Sequence, residues 1–274
     1  MDEVRLGIIG AGGMAQSHMA YFHELPGLRY TAAADVDPAT LRRVVDKYGV
    51  HGFEDGEALL DSGEVDAVLI ATPHYFHPTF AQAAFKRGIH VLCEKPVAVT
   101  ATAADETNNA YEQAKKKHPK LVYAAMFNQR TQPGWRAVKR MCDSGQVGEL
   151  IRVSWTITNW FRTQAYYDSG GWRATWKGEG GGVLINQCPH NLDLFQWFVG
   201  MPSKVQAMVG LGKYHNIEVE DNVVAMMEFP NGAVGTFITS TGEAPASTAS
   251  KSPATTAPSS PATAACASSR TTPP

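Results

Sequence analysis

Cysteine is scarce in this sequence. The four present, Cys93, Cys142, Cys188 and Cys266, stand far apart, with neither the paired spacing of a metal site nor the density of a secreted disulfide scaffold. No metal is expected, and the thiols read as reduced in a cytoplasm. An excess of one charge is lacking too: 24 Lys and Arg against 26 Asp and Glu leave a net charge of -2 spread along the chain. The electrostatic footprint of a nucleic-acid binder is therefore missing, and a small neutral or weakly charged ligand fits better. No apolar run reaches membrane-spanning length, and the charged start from Met1 to Arg5 runs into a strand without the basic and apolar regions of a signal peptide. Neither export nor a membrane partner is expected.

What is present suffices for two cores, since 44% of the 274 residues are hydrophobic and 18% charged. From residue 4 to about 125, β-branched apolar runs at 6–9, 30–34, 67–70, 90–92 and 121–125 alternate with helical patterns at 14–22, 38–48, 78–86 and 103–117. That grammar builds βαβ units and a doubly wound parallel sheet. After Arg130 the pattern changes: Val153, Trp155 and Ile157 alternate with Ser154, Thr156 and Thr158, marking a strand with one solvated or partner-facing side. Further strands are predicted at 205–209, 223–229 and 233–239, the last two joined by the hairpin signal Pro230-Asn231-Gly232, with a helix at 184–198. This half reads as α+β on a mostly antiparallel, open-faced sheet.

Residues 244–274 are built almost entirely from Ala, Ser, Thr and Pro, with no Leu, Ile, Val, Phe or Gly, a composition that cannot bury enough surface to fold. The expected division is a first domain at 1–127, a second, incomplete one at 128–243, and a disordered tail at 244–274. The abrupt end of the sheet also fits a reading-frame error, because a one-frame shift with chosen GC-rich codons spells a strand, a tight turn and a second strand.

Gly10-Ala11-Gly12-Gly13-Met14-Ala15 follows the first strand directly and opens a helix, the context that makes a glycine pattern a dinucleotide fingerprint. Gly10 permits the tight turn, Gly12 lets the backbone approach a pyrophosphate, Ala15 keeps helix and strand close, and the free amides around Gly13 and Met14 attract phosphate. Asp35 ends the second strand, placed to accept the adenosine ribose hydroxyls and to repel a 2′-phosphate, which selects NAD over NADP. Asp37, just before Pro38, reads as a helix cap. Thr72, Pro73 and His77, beyond the strand at 67–70, are expected on the nicotinamide side.

These segments, with Gly88-Ile89-His90-Val91-Leu92-Cys93-Glu94-Lys95-Pro96 and Gly180-Gly181-Gly182-Val183-Leu184, occur in the order and spacing of Gfo/Idh/MocA oxidoreductases, which the chain resembles from about residue 4 to 239. The resemblance implies that Lys95 binds the reacting hydroxyl, that Glu94 and Lys95 adjoin the cofactor, and that His190 is the acid/base histidine. An ammonium near a developing alkoxide lowers the cost of deprotonating an alcohol, and an imidazole titrating near ~6.5 can take the proton. Asn186 departs from the pattern, standing where the family carries an aspartate. It can still hydrogen-bond a substrate hydroxyl or orient His190, while Asp193 either shares a face with His190 or is solvated. Among the aromatics before the glycines, Tyr166, with Arg173, is a candidate for substrate contact, and Arg130 reads as an ion-pair former. The implied function is NAD-dependent oxidation of a secondary alcohol carbon of a sugar, glycoside or polyol, with a homo-oligomer through the second sheet. The alternatives are a cofactor-binding protein without catalysis and a glycoside-processing enzyme using transient oxidation.

Overall fold

The computed structural model describes residues 3–22 and 24–244; the expectations for the tail fall, from residue 245 on, outside the described residues. The described residues form two compact units, the first ending at Met126 and the second beginning at Phe127.

The first unit runs β1 (Val4–Ile9), α1 (Gly13–Phe22), β2 (Leu28–Ala34), α2 (Pro38–Tyr48), β3 (His51–Phe53), α3 (Gly56–Asp61), β4 (Ala67–Ile70), α4 (His77–Lys86), β5 (His90–Cys93), α5 (Ala101–Lys117) and β6 (Tyr123–Ala125). Its six strands lie in the order β3-β2-β1-β4-β5-β6, every neighbouring pair parallel. Strand order reverses between β1 and β4, the switch point at which open α/β sheets bind ligands. Alternation along the strands feeds two cores. Ile9, Val68, Ile70 and Val91 pack with Leu59 and Phe85 of α3 and α4, whereas Leu6, Ile8, Ala33 and Leu69 pack with Met19, Leu41 and Val44 of α1 and α2. Burial on both faces explains why these strands read as apolar runs without a polar side. β3 and α3 escape the periodicity because three and six residues are too few to display one. β6 begins at Tyr123 rather than at 121.

The second unit runs α6 (Pro133–Asp143), β7 (Arg152–Ile157), α7 (Gln164–Asp168), α8 (Pro189–Val199), β8 (Lys204–Leu211), β9 (Glu220–Glu228) and β10 (Val234–Ser240), its strands ordered β7-β10-β9-β8. β8, β9 and β10 pair antiparallel, as expected, but β7 lies parallel to β10, so the sheet is mixed. α8 also differs, starting at Pro189 instead of 184, because residues 184–188 form turns and proline occupies the first helical turn. One sheet face, carrying Val153, Trp155, Ile157, Val223, Ala225 and Phe237, buries Leu194 and Phe195 of α8. The opposite face leaves Met208, Val224, Met226 and Val234 exposed.

Candidate functional site

The chain leaves β1 through Gly10, whose φ of +86° suits glycine and whose added Cβ would stand 2.7 Å from the Thr72 nitrogen and 2.8 Å from the Ala71 carbonyl. Two sheet-edge loops thus touch backbone to backbone at the switch point. At Gly12 and Gly13 a Cβ would meet nothing within 4 Å, so these glycines leave open space over the first amides of α1, which have no carbonyl one turn earlier to bond. Ala15 is fully buried beneath them, and Met14 is half exposed. Asp35 closes one side of the turn: its carboxylate accepts the Ala11 N–H at 2.8 Å and the Asp37 N–H at 2.9 Å. Asp37 caps α2, accepting from the Ala39 and Thr40 amides and from the Thr40 hydroxyl. The Thr40 bonds hold the Asp37 carboxyl below its ordinary value.

Two loops further along the same edge, Thr72 and Pro73 follow β4, and Glu94-Lys95-Pro96 follows β5 with a cis Lys95–Pro96 bond. His77, 1% exposed, ties them together, its Nδ1 at 2.7 Å from the Pro96 carbonyl and its Nε2 at 2.8 Å from the Thr72 carbonyl. Burial pushes the His77 imidazole down despite those carbonyls. A neutral ring carries one N–H and donates to one of these two carbonyls at a time, so His77 links the β4 and β5 loops from between them. Glu94, also buried, is gripped on both oxygens: His18 Nε2 of α1 lies 2.5 Å from Oε1, and the Lys95 N–H donates to Oε2 at 3.0 Å. Burial alone would raise this carboxyl; the His18 bond and charge, with the Lys95 amide and ammonium, outweigh it and hold it below its ordinary value. The first unit therefore gathers Gly10, Gly12, Gly13, Ala15, Asp35, Thr72, Pro73, Glu94 and Lys95 along one edge, with β1, β4 and β5 adjacent. At a strand spacing of about 4.8 Å, the β5 turn sits on the order of 10 Å from the glycine turn.

In the second unit the glycine run is anchored by Glu220 of β9, a residue that sequence reasoning missed. Its carboxylate accepts the Gly182 and Leu184 amides at 2.9 and 3.1 Å, and its backbone carbonyl accepts the Val183 N–H. A Cβ on Gly182 would overlap that carbonyl oxygen at 1.9 Å. Asn186 follows in the turn, donating from Nδ2 to buried Glu179, and His190 occupies the first turn of α8, edge-on to Phe127. Asp193 is committed elsewhere: it forms a two-pronged ion pair with Arg130 at 2.5 and 2.7 Å, as the ion-pair reading of Arg130 expects. Arg173 donates to the Tyr166 hydroxyl at 3.0 Å and stacks on its ring, which Arg162 also approaches. His18, Glu179 and Arg162 had no sequence signal, because each acquires its role through a partner that only the fold supplies.

Residues 4–124 match a family model described as "Oxidoreductase family, NAD-binding Rossmann fold", and residues 135–252 match the "GFO/IDH/MocA C-terminal domain". An inositol 2-dehydrogenase from Rubrobacter xylanophilus is 33% identical over 199 residues, 72% of this chain and 53% of that protein. A levoglucosan dehydrogenase from Pseudarthrobacter phenanthrenivorans is 26% identical over 268 residues, 86% of this chain and 67% of that one. The chain thus spans little more than half the length of some curated relatives. Among solved structures, the WlbA dehydrogenase of Bordetella pertussis in complex with NADH and UDP-GlcNAcA superposes with a TM-score of 0.83 at 27% identity, covering 89% of this chain and 69% of that one. Two successive domain models that together span most of the described residues make one conclusion firm: the chain belongs to the Gfo/Idh/MocA oxidoreductase family.

Proposed function

We propose that the protein is an NAD-dependent dehydrogenase acting on a secondary alcohol carbon of a sugar, glycoside or polyol. The observation that carries this reading is the edge shared by the open glycine turn and the Glu94-Lys95-Pro96 turn, two strands apart in one parallel sheet. The residues fit the cofactor. The amides after Gly12 would hold its pyrophosphate, Asp35 would accept its adenosine ribose hydroxyls in preference to a 2′-phosphate, and Thr72 and Pro73 would flank its nicotinamide end. When bound, NAD supplies the acceptor for the hydride.

The chain's own residues then have distinct tasks. Lys95, on a turn fixed by Glu94, binds the hydroxyl oxygen and stabilises the negative charge that grows there. His190 takes the hydroxyl proton in oxidation and returns it in reduction. Asn186, Tyr166 and Arg173 orient the remaining hydroxyls of the substrate. Relatives named for inositol and levoglucosan, and one solved in complex with UDP-GlcNAcA, support a polyhydroxylated ring as the substrate class. The same reading places the enzyme in the cytoplasm and a second copy of the chain against the exposed face around Met208, Val224 and Met226.

The test is NADH formation across a panel of inositols, anhydrosugars and glycosides. Turnover of at least one is expected, lost by roughly a thousandfold or more in Lys95→Ala while NADH binding stays within a few-fold. Tight NADH binding without turnover of any member would instead identify a cofactor-binding protein without catalysis.

A further inference from the structure

Beside the position where the chain departs from the family motif, the second unit buries a carboxylate. Glu179 is 1% exposed. Its Oε2 accepts the Ala174 N–H at 2.6 Å, and its Oε1 accepts from Asn186 Nδ2. Ala174 is the single non-glycine among the described residues with positive φ, at 53°, a conformation that L-residues adopt at a cost. That cost aims its N–H at the carboxylate. An ionised carboxylate only accepts hydrogen bonds, so Glu179 dictates which way the Asn186 amide faces: Nδ2 toward Glu179, Oδ1 away from it. An aspartate at 186 would bring two carboxylates into contact and force one of them to keep its proton. Asparagine keeps an acceptor at 186 and presents Glu179 with an N–H donor in place of a second carboxylate.

We propose that Glu179 is a positioning residue of the substrate site: through Asn186 it supplies the negative charge, and fixes the acceptor, four residues before His190. The proposal rests on the assignment of His190 as the proton-handling group. The charge that the motif loses at 186 is regained one side chain away, and residues 179 and 186 form a unit in which one carboxylate and one amide can exchange places.

Glu179→Gln, Asn186→Asp and the double variant, all in the full chain, test this. Two readouts apply: the pH profile of NAD-dependent oxidation with myo-inositol and levoglucosan, and NMR titration of the His190 ring, which needs no turnover. Glu179→Gln is expected to lower kcat about tenfold to a hundredfold with KM little changed, the effect of losing one charge-assisted hydrogen bond, and to move the His190 titration to lower pH. Asn186→Asp creates a carboxylate pair sharing a proton, so an additional titration should enter the pH profile. The double variant relocates the charge and is expected to restore both readouts to within a few-fold of the parent. Additive losses in the double variant, or a His190 titration indifferent to Glu179→Gln, would overturn the proposal. Absence of NADH formation by the parent chain counts against the dehydrogenase reading, and the ring titration still decides this one. If Glu179→Gln fails to fold, as a melt would show, Asn186→Asp carries the test through its own titration.

Discussion

Asp35 turns both carboxylate oxygens to backbone amides, those of Ala11 and Asp37, and is thereby fixed at the mouth of the glycine turn. Asp35→Ser should raise the preference for NADP relative to NAD by about tenfold to a hundredfold, since removing the carboxylate weakens the ribose bonds and relieves repulsion of a phosphate; fluorescence titration with NADH and NADPH measures it. Glu94 offers a second check at this scale. Its pKa is depressed in the folded protein, so its ionised form stabilises the fold above the ordinary glutamate value of 4.5, and that contribution is lost as the pH falls through the lower, folded value. His18→Ala removes part of that grip. Its destabilisation should therefore be largest near neutral pH and shrink in acid, as urea melts at several pH values would record. The place of the Glu94-Lys95-Pro96 turn after β5 could be read because the motif is contiguous. His18 could not, since its partner lies 76 residues away, and Glu179, only seven residues from Asn186, was hidden because no spacing rule announces a buried carboxylate.

Among the elements, α2 shows how local chemistry sets a boundary. Proline stands in its first turn, Asp37 caps its free amides, and the Gly49 N–H closes on the Val45 carbonyl at 2.8 Å. Asp37→Ala is expected to lower the denaturation midpoint with unchanged slope. Gly10→Ala at the end of β1 is of another order. It sets a Cβ against the Ala71–Thr72 backbone at positive φ, so several kcal/mol or outright misfolding are expected. The long strands and helices of the first unit could be read because burial imposes a period on their residues. The direction of β7 could not, since alternation reveals which face of a strand is buried and nothing about its neighbour. The start of α8 could have been found by giving Pro189 more weight than the apolar residues before it.

At the scale of the molecule, one face of the second sheet is apolar and, among the described residues, exposed without a helix over it, and β8 is exposed along both faces. If that face pairs two copies, Met226→Arg in its middle should convert the oligomer to monomer in sedimentation, with NADH affinity unchanged because the cofactor residues belong to the first unit. The parallel seating of β7 beside β10 has a consequence in time. Ser154 bonds Thr236 across 82 residues of chain, and among the described residues β10 is the one strand that β7 pairs with. During synthesis the strand carrying Trp155 emerges early and must remain unmatched until residues beyond 234 leave the ribosome. Its apolar side chains are then open to wrong edges and to chaperones while the first unit is already folded.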